Sequence, residues 1–253
     1  KGGSIVATCE TSLYNETGKK RDNFGLSDLF GCDYVRTQNG VRNSYLTPHH
    51  PHELTRGLED APRIIATAQQ ITVKPHDDAK QPLTLVPSYP DLPMERVYPD
   101  VPETDIAMVF CNQVGKGRAV YFPMDLDRTF WEVLAEDHLL LLKNAVLWAA
   151  DEPQPMTVTG PGLLDIAYWR QKNSLSAHLV NMTNPMMMKG PYRQVMPLDG
   201  PFTVTLAVPH GADTKAVTLL ESGKKARWHR QGHMLTIKVP SIRLHEVIGV
   251  DFT

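Results

Sequence analysis

The sequence predicts an α/β domain followed by an antiparallel β-sandwich, and three observations carry this prediction. Up to about Asp151, short apolar runs typical of buried strands alternate with segments of helical periodicity. The segment DEPQP at 151–155 is a proline-containing linker. After the linker, apolar and polar residues alternate with a period of two, which is typical of strands that bury one face.

Four strand-like runs occur in the first part of the chain, at 4–8, 63–67, 106–110 and 118–122. The last is preceded by the segment VGKGR, whose glycines predict a hairpin turn. The first run follows a Gly-Gly turn, and a strand buried on both faces normally pairs with neighbours from other βα units. Because no earlier segment could supply such a neighbour, we expect the chain to be the C-terminal part of a larger polypeptide.

Two helices are predicted between these strands and the linker. A short helix fits the segment FGLSDLFG at 24–31, which would end at its final glycine. A long helix fits 129–150, where acidic residues in the first turns suit the helix dipole. Its apolar face would contain Leu134, Leu141, Ala145 and Trp148. The proline-rich stretch at 89–105 is expected to line or cover another part of the protein.

The segment after the linker is predicted to be all-β. The run LLDIAYWRQKNSLSAHLVNMT indicates a hairpin that turns at Lys172 and Asn173, and Gln231 and Gly232 form a second predicted turn. Roughly seven or eight antiparallel strands over about 100 residues are typical of a small β-sandwich.

Composition restricts the classes of partner. The 253 residues carry a formal net charge of −2, and 42% of them are hydrophobic. This balance gives no broad attraction to nucleic acid or to an anionic membrane surface, so neither is predicted as a partner. No apolar run approaches the ~20 residues that cross a bilayer. The basic segments GKKR at 18–21 and GKKARWHR at 223–230 are interpreted as solvated turns.

The cysteines give no sign of a disulfide scaffold. Cys9, Cys32 and Cys111 lack CxxC spacing and are expected to be small buried apolar residues. Two Asn-x-Thr sequons, which begin at Asn15 and Asn181, slightly favour a periplasmic or extracellular location. No cofactor is predicted.

Four long segments carry a resemblance to a known family. They are GGSIVATCETSLYNETGKKRDNFGLSDLFG, SYPDLPMERVYP, VGKGRAVYFPMDLDRTFW and HLVNMTNPMMMKGPYR. Together they resemble the C-terminal regions of hypothetical glycosyl hydrolases related to family-42 β-galactosidases. Such proteins carry an N-terminal (β/α)8 barrel, an amidotransferase-like trimerisation domain and a small β-sandwich. The resemblance implies that 1–152 is a partial flavodoxin-like or amidotransferase-like α/β domain and that 156–253 is the sandwich.

The resemblance also implies the partners. The parent enzyme would cleave glycosidic bonds with two carboxylates at the ends of barrel strands. Since the second half of this chain is predicted to be all-β, the chain cannot form that barrel and is expected to be inactive alone. Its expected partners are the barrel of the parent polypeptide, further copies of the chain and, through the parent, a carbohydrate substrate. The leading hypothesis is a non-catalytic portion that serves assembly and shapes the active site.

The loop after the first strand supplies the candidate substrate-binding residues. Open α/β sheets form binding crevices at the carboxyl ends of their strands, and tyrosine rings with paired polar groups suit sugar hydroxyls. The resemblance implies that this loop can border a neighbouring subunit's active site. The candidates are Glu10, Thr11, Ser12, Tyr14 and Arg21. The alternative is that these side chains only hold the loop together by hydrogen bonds.

Cysteine catalysis is the sharpest competing hypothesis. Cys9 could be the nucleophile of an amidotransferase-like hydrolase, but it lacks the flanking glycines of a nucleophile elbow. The segment HHPHE at 49–53 could be imagined as supplying a base or a metal cluster. Its prolines favour an extended loop with a capping or packing role, and no metal site is predicted.

Asp125, Asp127 and Arg128 lie between a predicted strand and the long helix. A pair of carboxylates could act as general acid and base. We favour a helix cap and an internal ion pair with the arginine instead.

The tryptophans divide into two pairs. Trp131 and Trp148 are predicted to pack in the core beside the long helix. Trp169 and Trp228 lie in predicted sandwich strands, where an exposed aromatic platform would indicate a carbohydrate-binding module. We favour the alternative that both are buried, because buried tryptophans are common in sandwiches.

Three consecutive methionines, Met186, Met187 and Met188, are predicted to form an interface with another domain. Methionine adapts to irregular apolar surfaces, and the prolines at both ends of the run disfavour a continued strand. The alternative is that they belong to the core of the sandwich.

Overall fold

The computed structural model describes residues 2–77, 81–184 and 194–253. Within these ranges strands predominate and helices are few. The chain divides into two compact units, Lys1–Pro153 (unit 1) and Gln154–Thr253 (unit 2). The predicted interface residues Met186, Met187 and Met188 lie outside the described residues. Among the described helices, none has the length and apolar character needed to span a membrane.

Unit 1 combines short strands with three α-helices in its described part. The strands are β1 (Ile5–Thr8), β2 (Cys32–Gln38), β3 (Tyr45–Pro48), β4 (Ile64–Ile65), β5 (Gln70–Pro75), β6 (Leu83–Val86), β7 (Phe110–Val114) and β8 (Gly117–Phe122). The helices are α1 (Ser27–Phe30), α2 (Leu126–Val133) and α3 (Glu136–Ala150), together with short 3-10 helices at Glu53–Thr55 and Met94–Arg96.

The strands of unit 1 form three small sheets, with orders β1-β8-β7, β2-β5 and β4-β3-β6. β1 and β8 are parallel, and every other described pair is antiparallel. The sequence predicted an α/β domain, but parallel pairing is limited to β1–β8 in the described part of the unit. The stretch 32–86 instead forms short antiparallel strands. The predicted run at 63–67 corresponds to β4, and the apolar pattern did not reveal the other strands of this stretch.

β8 is the strand on which the core of unit 1 is built. Val120 and Phe122 are buried on one face, in the cluster that contains Leu141 of α3. Tyr121 is buried on the other face and stacks on Phe30 of α1, with 4.2 Å between ring centroids. Successive residues of a strand point to opposite faces, so an uninterrupted apolar run is what a strand covered on both faces requires.

The short predicted helix is confirmed, and the long one is wrong as a continuous element. α1 ends at Gly31, which adopts the left-handed conformation (φ 72°) that glycine tolerates. The predicted helix at 129–150 is split into α2 and α3 because Leu134 is left-handed (φ 56°) and ends α2. Because of the break, the apolar residues of α2 and α3 do not share one face. α3 buries its apolar face, whereas Trp131 of α2, which was predicted to pack in the core, is 55% exposed.

Unit 2 consists of antiparallel strands in its described part. They are β9 (Met156–Thr159), β10 (Leu164–Arg170), β11 (Ser174–Asn181), β12 (Leu198–Ala207), β13 (Thr214–Leu219), β14 (Lys224–Lys225), β15 (Arg227–Gln231), β16 (Met234–Ile242) and β17 (His245–Phe252). One sheet has the order β10-β11-β17-β13-β14, and the other has the order β15-β16-β12-β9.

Both sheets of unit 2 bury alternate residues in one apolar cluster. β11 shows a strict alternation in which Leu175, Ala177 and Leu179 are buried. The predicted hairpin turns are confirmed, since β10 and β11 join across 171–173 and Gly232 links β15 to β16 with φ 60°. The basic segment 223–230 is not a solvated turn, because its residues form β14 and most of β15.

Candidate functional site

The candidate site lies at the carboxyl ends of β1 and β8. The two strands are in parallel register from Ile5–Ala119 to Thr8–Phe122, so they end side by side. The loop that follows β1 then crosses the end of β8, because the Cys9 amide donates to the Phe122 carbonyl at 2.9 Å. Cys9 and Ser12 both have a positive φ, a conformation that non-glycine residues adopt only when their surroundings impose it.

A chain of four polar side chains ties this loop to β2. The Lys20 ammonium donates to the Tyr34 hydroxyl at 2.8 Å, and the Tyr34 and Thr37 hydroxyls are 3.2 Å apart. The Thr37 hydroxyl donates to Glu10 Oε1 at 2.8 Å. One consistent proton arrangement therefore runs from Lys20 to Glu10, with each hydroxyl accepting one bond and donating the next. We call Glu10, Lys20, Tyr34 and Thr37 the polar chain.

The charges within the polar chain are coupled. The hydrogen bond to Tyr34 raises the pKa of Lys20 above its ordinary value. Burial is the largest influence on the pKa of Tyr34 and acts to raise it, but the hydrogen bonds with Lys20 and Thr37 and the charge of Lys20 together lower it below its ordinary value. A protonated lysine thus stands at one end and a carboxyl at the other, which is an arrangement that can donate to and accept from sugar hydroxyls.

The other predicted site residues mainly hold the loop. Thr11 donates its hydroxyl to the Thr8 carbonyl at 2.6 Å, and the Ser12 hydroxyl accepts from the Leu26 amide at 3.2 Å. The Arg21 guanidinium donates to the Tyr14 carbonyl within the same hairpin. The structural alternative therefore accounts for these three side chains. Among the predicted candidates, Glu10 is the one that bonds to β2, and the Tyr14 ring is 42% exposed.

Lys20, Tyr34 and Thr37 were not identified from the sequence as site residues. Tyr34 and Thr37 belong to β2, a strand that the apolar pattern did not reveal. The pairing of β2 with β5 brings them near the loop, and such pairing is a long-range contact. The run YVRT at 34–37, which is rich in aromatic and β-branched residues and is followed by Gly40, is the signal that could have marked this strand.

The Asp125 carboxylate has a structural role. Its side chain is buried, one oxygen accepts from the Gln69 amide at 3.1 Å, and the other accepts from Arg128 Nε at 2.6 Å. The predicted ion pair is present, and it raises the pKa of Arg128. Asp125 occupies the position before α2 but makes no side-chain cap, so the predicted capping bond is absent. With both oxygens engaged, it is poorly placed to act as general acid or base.

The structure argues against Cys9 as a nucleophile. Burial first, and then the negative charge of Asp125, raise the pKa of the Cys9 thiol to about 12. A nucleophilic cysteine requires a lowered pKa, because the thiolate is the reactive species. Cys9 is therefore a protonated thiol near neutral pH.

The histidine-rich segment forms a cap. His52 Nδ1 accepts from the Leu54 amide at 3.0 Å at the start of the 3-10 helix Glu53–Thr55, and its ring lies 5.6 Å from that of Trp148. Burial lowers the pKa of His52. In the described ranges no three His, Cys, Asp or Glu side chains are grouped as metal ligands.

A cleft of about 380 Å³ lies on the other side of β2 from the polar chain. Arg36, Gln38 and Thr72 line it, and the Gln38 amide donates to the Thr72 hydroxyl at 2.8 Å. Asp105 contributes a carboxylate, and apolar side chains including Phe110 form the remaining wall. An apolar wall with a few polar groups is the usual composition of a small-molecule site. Thr37 and Gln38 are adjacent in β2, so this strand contributes one residue to the polar chain and the next to the cleft.

Unit 2 carries one exposed tryptophan in each of its two sheets. Trp169 on the edge strand β10 is 62% exposed, and Trp228 on β15 is 39% exposed. Trp169 pairs with Ser176, and Ser176 pairs with Gly249 in the next strand. These small neighbours leave one face of the indole open, since paired residues lie on the same side of the sheet.

Neither the protein-family models nor the curated protein sequences give a match to this chain. Solved structures do match. Alpha-L-fucosidase isoenzyme 2 from Paenibacillus thiaminolyticus is similar over 100% of this chain and 37% of its own, with a TM-score of 0.74 and 15% identity. A catalytic mutant of Gan42B, a GH42 beta-galactosidase from G. stearothermophilus, is similar over 100% of this chain and 28% of its own, with a TM-score of 0.55 and 14% identity.

A beta-galactosidase from Rahnella sp. R3 is similar over 96% of this chain and 28% of its own, with a TM-score of 0.50 and 16% identity. The chain thus spans 28–37% of the length of these solved chains. At such low identity the likeness shows the fold, which is related to that of portions of glycoside hydrolases.

Proposed function

We propose that this chain is a non-catalytic portion of a glycoside hydrolase, in which it serves assembly and shapes the active site. The observation that carries the proposal is the structural match over the full chain to about a third of the fucosidase. The remaining two thirds of such an enzyme would hold the catalytic carboxylates, in a barrel that precedes this chain. In this view unit 1 is the amidotransferase-like trimerisation domain, and unit 2 is the accessory β-sandwich.

The polar chain is the part of unit 1 best suited to shape an active site. It offers an ammonium and a carboxyl on a loop whose backbone is held in a strained conformation. A sugar in a neighbouring subunit's barrel would meet hydrogen-bonding groups that are positioned before binding, which lowers the entropy cost of binding. Glu10 is then a substrate-positioning residue, and the bond-breaking step belongs to the barrel.

The test is a pair of variants in the polypeptide encoded by the intact reading frame. Glu10→Gln should raise KM for an aryl glycoside while kcat falls less, because a binding contact is weakened and the catalytic carboxylates are untouched. Glu16→Gln removes the same charge from an exposed position of the same loop and should leave both constants unchanged. If Glu10→Gln also leaves them unchanged while the enzyme remains folded, the site-shaping role is wrong.

A second candidate function is neutral carbohydrate binding by unit 2, and the exposure of Trp169 favours it. An open indole at the edge of a sheet can stack on the apolar face of a sugar ring. The purified chain should then migrate more slowly in gels that contain a soluble neutral polysaccharide such as galactan. Trp169→Ala should abolish this retardation, and Trp131→Ala, which removes a similarly exposed tryptophan from unit 1, should not. Equal behaviour of the two variants would eliminate the aromatic platform.

A further inference from the structure

A cleft of about 550 Å³ opens at one edge of unit 2, and its charge is entirely positive. It lies where the chain passes from β14, which pairs with β13 in one sheet, to β15, which pairs with β16 in the other. Pro201, Leu219 and Pro240 form its uncharged wall, and its remaining lining residues are Lys224, Lys225, Arg227 and Lys238.

Among the residues that the structure describes, no carboxylate forms an ion pair with the four cations. No acidic residue of the described ranges lines the cleft. Arg227 and Lys238 are directly opposite each other on β15 and β16. Like charges at such a position are destabilising, so this arrangement carries an electrostatic penalty that a bound anion would relieve.

The surface beside the cleft is rich in hydroxyl groups. Across the four-stranded sheet, Arg227 and Lys238 continue in one row with Thr203 and Thr159, and Lys238 Nζ donates to the Thr203 hydroxyl at 2.6 Å. The next row consists of His229, Thr236, Thr205 and Thr157. Their neighbours along the strands, such as Val204 and Ile237, are buried, so these rows face away from the core.

This combination selects one class of ligand. Single-stranded nucleic acids are bound by basic grooves with aromatic rings on which bases stack, and these two rows contain no Phe, Tyr or Trp. Hydroxyl rows suit a ligand that is itself covered in hydroxyls. Three of the four cations are lysines, which act as point charges and can surround a tetrahedral oxyanion from several directions.

We propose that this cleft binds the sulfate ester of a sulfated polysaccharide, with neutral sugar hydroxyls along the threonine rows. The choice of a saccharide as carrier rests on the proposed function, and the anion site itself rests on the charges and the pairing of the strands. The polar chain belongs to unit 1, and Trp169 lies on β10, at the opposite edge of the five-stranded sheet from β14.

The test is calorimetric titration of the 253-residue chain with dextran sulfate, unsubstituted dextran, polygalacturonate and poly(U). Dextran sulfate should bind, dextran should not, and the carboxylated and nucleotide polymers should bind more weakly. The double variants K224Q/K225Q and R227Q/K238Q should each weaken dextran sulfate binding by about tenfold or more. The double variant K172Q/K215Q removes the same charge from unit 2 outside the cleft and should bind like the original chain.

Several results would overturn the proposal. These are the absence of dextran sulfate binding, equal loss in K172Q/K215Q, or binding to polygalacturonate or poly(U) as tight as to dextran sulfate. A second measurement guards against misfolding: R227Q/K238Q relieves a like-charge pair, so at low salt its melting temperature should equal or exceed that of the original chain. A lower value would contradict the repulsion on which the site rests. The proposed function is tested separately, by whether the intact reading frame encodes a barrel. If it does and dextran sulfate does not bind, the sulfate site is wrong and the proposed function stands.

Discussion

The Glu10 carboxyl accepts a 2.8 Å hydrogen bond from the Thr37 hydroxyl, although 27 positions separate the two residues in the chain. Glu10 lies in the loop after β1, and Thr37 lies in β2, which belongs to a different sheet. This bond joins the two sheets at the carboxyl edge of the parallel strands. The geometry of the candidate site therefore depends on a contact between elements that are distant in sequence.

Replacing Thr37 by valine should lower the free energy of unfolding by about 0.5–1.5 kcal/mol. Valine keeps the shape of threonine but removes the donor to Glu10 and the partner of Tyr34, and this range is typical of a lost hydrogen bond. Urea unfolding of the variant measures the change. Glu16→Gln is the control and should stay within about 0.5 kcal/mol of the original chain. A Thr37→Val variant of undiminished stability would mean that the polar chain does not hold the loop.

Removing the buried Asp125 carboxyl should destabilise unit 1 by about 2–3 kcal/mol, because the half-buried Gln69 amide loses its acceptor and Arg128 loses its partner. The matched control is Asp127→Ala, two residues further on and exposed, for which a change within about 0.5 kcal/mol is expected. Thermal or urea unfolding of Asp125→Ala and Asp127→Ala gives the comparison. Similar losses in both variants would show that Asp125 has no special structural role.

Gly31→Ala should cost more stability than Gly18→Ala, although both glycines have a similar positive φ. At Gly18 an added Cβ meets open space, so only the backbone cost of about 1 kcal/mol is expected. At Gly31 the Cβ would lie 2.6 Å from Asn112 Nδ2, which donates to the Leu29 carbonyl. We expect about 2–3 kcal/mol there, since a hydrogen bond is also disturbed. Equal costs in denaturant unfolding would indicate that Asn112 moves aside freely.

The three cysteines should react slowly with a thiol reagent while the chain is folded. Burial raises the pKa of Cys9, Cys32 and Cys111 from 9.0 to about 12. A raised thiol pKa keeps the proton on sulfur to higher pH, so the thiolate fraction near pH 8 should be roughly a thousandfold below that of a free cysteine. The rate of Ellman's reaction before and after denaturation checks this. Fast labelling of Cys9 in the folded chain would revive the cysteine-hydrolase hypothesis.

Local features of this fold were predictable from sequence, and long-range features were not. Gly31 ends a helix and Gly232 forms a turn because glycine tolerates a positive φ, which is a property of the single residue. The break between α2 and α3 was missed because Leu134 adopts the left-handed conformation against the preference of leucine. Apolar periodicity continues through Leu134 and so does not contain the break.

The same distinction applies to the candidate site. Glu10 was identifiable because polar residues after a buried strand indicate a crevice. Its partner Thr37 could not be identified, because the pairing of β2 with β5 depends on contacts between distant residues. The cationic cleft was missed for a similar reason. In the sequence the segment KKAR is typical of a solvated turn, and the pairing of β15 with β16 is what brings Lys238 beside Arg227.

The most direct test of the central claim compares turnover of aryl fucosides and galactosides by the purified 253-residue chain and by the polypeptide encoded by its intact reading frame. The account predicts no turnover by the chain alone and hydrolysis by the longer polypeptide, because the catalytic carboxylates would lie in the preceding barrel. Turnover by the chain alone that is lost in Glu10→Gln or Asp125→Ala would contradict the account, as would an intact frame that encodes no barrel.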